Sequence, residues 1–134
     1  VGGLAAQLVS AFGDIGRMSA FYDDEITWSL PPSVNGTVPG VKSPFRGRKD
    51  VLKLHAVINS AYDAASMRVE ILDDLDNGEV SAVRFNFSAR ELASGETWTG
   101  SYTLFARSRG GLIFEVHEGM DTLAAMRFHG LALL

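Results

Sequence analysis

After Ser66 the spacing of apolar residues changes from steps of three and four to steps of two, and this change most constrains the fold. Before it, Leu4, Leu8, Phe12, Ile15, Met18 and Tyr22 keep one face of a helix apolar. Gly13 followed by Asp14 interrupts that run as a helix stop and a fresh N-cap, which predicts two helices meeting at a corner, the second closed by Asp23-Asp24. Glu25 to Leu30 alternates and carries Ile26, Thr27 and Trp28, the pattern of a short strand. The stretch from Pro31 to Gly47 holds all four prolines and predicts a long loop at the rim of a site. A helix follows from about Arg48 to Ala64, burying Val51, Leu54, Ile58 and Ala61 or Tyr62.

Beyond Ser66, Met67–Leu72, Val80–Arg90, Thr97–Arg107 and Leu112–Gly119 read as four strands. Asp76-Asn77-Gly78, Ala93-Ser94-Gly95 and Arg109-Gly110-Gly111 supply turn chemistry suited to antiparallel hairpins. An apolar helix from about Asp121 to Leu133 ends the chain, with Asp121 or Thr122 as its cap. The expected fold is α+β: a strongly curved, mostly antiparallel sheet wrapped around N-terminal helices to form a cone-shaped pocket. Residues 1–134 are read as a single domain, since the chain is long enough for one core and not for two.

The formal net charge of −4 gives no general pull toward phosphate backbones or anionic lipid, so neither nucleic acid nor membrane is an expected partner. No apolar run approaches the roughly 20 residues of a membrane span. Cysteine is absent, which excludes disulfide staples and thiolate metal sites. With no signal-peptide pattern at the start, a cytoplasmic location is expected. His55 and His129 have no metal-like spacing to another ligand and read as ordinary core or surface residues; no metal and no cofactor are expected.

Four segments carry a resemblance: Phe12-Gly13-Asp14-Ile15, Phe21 through Trp28, Pro44 through Arg48, and Glu118-Gly119-Met120-Asp121. In this order and spacing they resemble the SnoaL-like, ketosteroid isomerase-like branch of the nuclear transport factor 2-like superfamily. The resemblance covers nearly the whole chain. It speaks for fold more than for chemistry, because this fold hosts isomerases, hydrolases, cyclases and inert binders.

Arg84-Phe85-Asn86 is also similar to the Arg-x-Asp strand motif of limonene epoxide hydrolases, and Glu118 matches the position of their second carboxylate. That resemblance implies a site built from Glu118, Arg84 and Asn86, with Trp28, Tyr102, Phe114 and Val116 lining the substrate pocket. Arg84 and Asn86, two apart on a strand, share one face, and a buried guanidinium there holds Glu118 ionised. The departures are Asn86, which has no comparably acidic proton, and Trp28 and Leu30 in place of the tyrosine and asparagine that grip the water. Ketosteroid isomerase-type residues are not matched either: Leu30 stands for the base, Leu8 for the tyrosine, and Ser101 or Tyr102 near the second acid. A SnoaL-like cyclase needs only one acid/base residue in a tight apolar pocket. Glu118 fits that role, and a one-residue slip of the last strand would substitute His117.

Another reading of the same residues makes Arg84, Asn86, Ser88 and Arg90 the solvated face of a strand whose Val83, Phe85 and Phe87 form the core. The two readings lead to different molecules. With the polar set inward, the aromatic set needs cover from outside, and a homodimer is expected. The functional expectation is a cofactor-independent acid/base enzyme, cyclase-, isomerase- or hydrolase-like, acting on a small, largely apolar organic molecule. The alternative is a catalytically silent ligand-binding or assembly domain of the same fold.

Overall fold

The computed structural model describes residues 2–35 and 41–130. Helix α1 (Leu4–Val9) and helix α2 (Ile15–Ser19) meet at a corner made by Gly13, whose φ of 94° a side chain would resist. Asp14 caps α2 by accepting a hydrogen bond from the Arg17 backbone N–H, as the sequence predicts. Helix α1 has no capping side chain of its own, and the buried Ser81 hydroxyl, from a distant strand, accepts the Ala5 N–H instead at 2.9 Å.

Strand β1 runs Tyr22–Ser29 and so begins three residues before the expected strand. Asp23 and Asp24 therefore lie in β1 rather than closing α2, because Tyr22, Ile26 and Trp28 alternate inward and are almost wholly buried. After a short 3-10 turn at Pro32–Val34 and the two-residue strand β2 (Phe45–Arg46), helix α3 (Arg48–Ala61) packs on β1. Four long strands follow: β3 (Arg68–Asp76), β4 (Val80–Arg90), β5 (Thr97–Arg109) and β6 (Leu112–Met120). Helix α4 (Thr122–Phe128) closes the described chain, capped by Asp121. Residues 36–40 of the expected loop and 131–133 of the expected last helix lie outside the described residues.

The six strands form one sheet in the order β2-β1-β6-β5-β4-β3, antiparallel throughout except for the parallel β1–β6 pair. The core lies between the inner face of this sheet and the helices. Val83, Phe85 and Phe87 of β4 point into it, and Phe12 sits edge-on to both phenylalanine rings. Burying those three side chains contributes roughly 1.5–3 kcal/mol each. Turning β4 over would expose them and bury a guanidinium instead.

That orientation removes the reason given for a homodimer, since the aromatic face of β4 is already covered by the chain's own helices. No helix among the described residues is long and apolar enough to cross a membrane.

Candidate functional site

The sheet curves away from the helices and leaves a cavity of about 400 Å³ between them, lined mostly by apolar side chains. That volume lies toward the small end for organic-ligand sites. Leu30, Val34 and Val41 form part of its wall, so the proline-rich segment borders the cavity as its sequence suggests. Ser43 ties this segment to the end of β1 through hydrogen bonds with both the backbone N–H and C=O of Leu30.

Glu118 lines the cavity from β6. Val116 and Glu118 are two apart and share the inner face, while His117 between them is exposed and bonded to Glu115 at 3.0 Å. The Trp28 indole N–H donates to Glu118 Oε1 at 3.2 Å. Burial pushes the Glu118 carboxyl up to about 7, because an ionised carboxylate is poorly solvated there; the Trp28 hydrogen bond offsets part of the rise. Of these two, Glu118 faces the cavity and His117 does not.

Arg84 and Asn86 are not part of this site. They lie on the outer face of β4, where Arg84 pairs with Asp73 at 2.7 Å. Asn86 donates to Glu70 and accepts from the Ser101 hydroxyl. The alternation that buries Phe85 necessarily turns its two neighbours outward. Phe114 is also outside the cavity, beneath the Arg109 guanidinium at 4.6 Å. A register shift causes this: Arg107 pairs with Glu115 and Ser108 with Ile113, leaving Phe114 as the extra residue of a bulge. Val116 is fully buried in the core and does not line the cavity, whereas Trp28 and Tyr102 do.

The structure also brings in residues that the sequence reading set aside. His55 lines the cavity, and its ring meets Trp28 edge-on at 5.0 Å. Tyr22, fully buried behind it, has its hydroxyl 2.6 Å from His55 Nε2. Burial pushes the Tyr22 phenol well above its ordinary range and lowers His55 to about 4, so both are neutral near pH 7. A buried phenol with one partner donates to it. The imidazole proton therefore sits on Nδ1. His55 Nδ1 has no hydrogen-bond partner among the described residues, and the ring lines the cavity, which makes Nδ1–H a candidate donor to a ligand.

Tyr102 is stacked on Phe85 at 5.4 Å, and its hydroxyl accepts the Trp98 indole N–H at 2.9 Å. Its own proton has no partner among the described residues and remains available to a ligand. Burial raises its phenol above the usual range, so it stays a donor. The signal that could have found Tyr22 and His55 is weak: Leu54 and His55 adjoin on the face of α3 that meets β1, but only the packing shows it.

A curved sheet folded over helices around an apolar cavity, with the carboxyl groups of Glu118 and Glu91 in its lining, defines a nuclear transport factor 2-like small-ligand domain. The SnoaL-like domain model matches residues 7–116, and the chain belongs to that family. Solved structures agree. An NTF2-like protein of unknown function from Burkholderia pseudomallei superposes with a TM-score of 0.77 at 18% identity, covering 92% of each chain. A candidate polyketide cyclase from Pseudomonas putida gives 0.76 at 17% identity, over 92% of this chain and 93% of that one. TerC, co-crystallised with polyporic acid, gives 0.75 at 17% identity, over 94% and 92%. No curated protein matches the chain significantly in sequence.

Proposed function

We propose that the protein is a cofactor-independent acid/base enzyme that moves a proton on a small, largely apolar carbonyl compound bound in the cavity. The observation that carries this reading is Glu118, a carboxyl raised to about 7 inside an apolar cavity that Tyr102 and His55 also line. A base works best when its pKa lies near the working pH. Glu118 takes a proton from the carbon beside the carbonyl; the C–H electron pair moves into the enolate, and charge develops on the carbonyl oxygen. Tyr102 O–H and His55 Nδ1–H stabilise that oxygen as it becomes negative. Glu118 then returns the proton to carbon, which completes an isomerisation, or the enolate carbon attacks a second carbonyl, whose π pair moves onto its oxygen and takes the Glu118 proton as the ring closes. Neutral donors suit the task, because they leave the Glu118 proton affinity high. The related folds described as cyclase and isomerase, and the complex of TerC with polyporic acid, support a small organic ligand.

The test is deuterium exchange at the α-carbon of a bicyclic ketone, 2-tetralone, followed by proton NMR in D₂O. The expected result is exchange well above the buffer rate, lowered at least about 100-fold by Glu118→Gln. Exchange at the buffer rate, together with measurable binding of the ketone, would instead identify a silent binder.

A further inference from the structure

The cavity has a second polar end, which the acid/base reading leaves unused. Tyr62, which closes α3, follows His55 by seven positions, two helical turns or about 10.5 Å along the axis. Both residues line the cavity. Around Tyr62 lie Glu91, just beyond the end of β4, and His129, at the end of α4, and these line the cavity too. Between His55 and Tyr62, Ile58 and Phe87 line the cavity, together with Asn59, whose amide donates to the Gly13 carbonyl.

The hydrogen bonds at this end are one short of closing. His129 Nδ1 donates to the Ala125 carbonyl at 2.7 Å, which leaves Nε2 as its single remaining ring position. That nitrogen is shared between the Tyr62 hydroxyl and Glu91 Oε2, the latter at 3.5 Å. One ring nitrogen cannot satisfy both oxygens. Glu91 Oε1 accepts the Ser94 hydroxyl at 2.8 Å, and Oε2 keeps acceptor capacity. The Glu91 side chain is only 15% exposed, so water meets that need poorly.

We propose that Tyr62, Glu91 and His129 form a subsite that accepts a hydroxyl group of the ligand, two turns along α3 from His55. This rests on the acid/base reading of Glu118 and adds the ligand's shape: an apolar ketone with a hydroxyl on the side of the molecule away from its carbonyl. The Glu118 end offers donors to a carbonyl oxygen, and the Tyr62 end offers acceptors to an O–H. A ligand turned end for end would set its carbonyl oxygen, which only accepts, against the acceptors around Tyr62, so the cavity favours one way round.

Calorimetric titration with 2-tetralone and 6-hydroxy-2-tetralone tests the subsite. The wild-type protein is expected to bind the hydroxylated ketone about tenfold more tightly, the size of one added hydrogen bond. Tyr62→Phe and Glu91→Gln should each reduce that advantage to less than twofold while leaving 2-tetralone binding unchanged. Glu118→Gln should abolish deuterium exchange yet keep the hydroxyl advantage, so the two readings fail separately. Equal affinity of the wild-type protein for both ketones overturns the subsite. So does an advantage that survives both substitutions, or failure of both ketones to bind.

Discussion

Trp28 and Glu118, ninety positions apart in the chain, meet inside the cavity with the indole N–H directed at the carboxyl oxygen at 3.2 Å. The β1–β6 pairing makes this possible, since Trp28 lies beside Val116 in a parallel ladder and Glu118 is the next residue on that face. Among the described residues no cation accompanies Glu118, and its protonation is governed by burial.

Glu118 therefore sets a pH dependence of stability. Its carboxyl rises from 4.5 to about 7 on folding, so between those values the folded state binds more protons than the unfolded state. Stability falls as pH rises through that window, and the full penalty, about 3 kcal/mol, holds above it. Glu118→Gln keeps an acceptor for Trp28 and removes the charge. It should melt close to the wild-type protein at pH 4.5 and several degrees higher at pH 8. A variant less stable than the wild type at pH 8 would mean that a cation compensates the carboxylate.

Tyr22→Phe leaves His55 Nε2 without its buried donor. The expected cost is about 1–2 kcal/mol in denaturant unfolding, the range for an unsatisfied buried polar group. Nitrogen-15 NMR supplies a sharper reading: the wild-type imidazole should be the Nδ1–H tautomer, and the variant a mixture. A wild-type ring protonated on Nε2 would reverse the donor assignment and remove His55 from the carbonyl-binding role.

Arg84→Ala should change little. The Arg84–Asp73 pair is 57% exposed on each side, and such pairs contribute about 0–1 kcal/mol. Melting temperature should move by no more than a few degrees, and ketone exchange should be unaffected. A large loss of exchange would return Arg84 to the site and contradict the outward face of β4.

The sequence alone determined where most elements lie, though not the start of β1, the short β2 or the far end of β3. The change of period at Ser66, the turn glycines, and the caps at Asp14 and Asp121 placed the corner of α1 and α2, and β4 runs over the expected Val80–Arg90. These signals are local, set by one or two residues and their own backbone. Trp28, Tyr102 and Glu118 were also legible as cavity residues. For β4 the alternation separated Val83, Phe85 and Phe87 from Arg84 and Asn86, but a three-residue motif match put Arg84 and Asn86 inside with Glu118. Only packing against Phe12 decides between the two faces, because period two says that neighbours differ and not which one is inside. Phe114 was lost to a bulge, one residue of register that no propensity encodes. His55, Tyr62, Glu91 and His129 could not be grouped from the chain, since their proximity depends on how α3 and α4 lie across the sheet. Helical spacing orders residues along one axis, and the partner that turns a lone histidine into a fixed donor comes from another element.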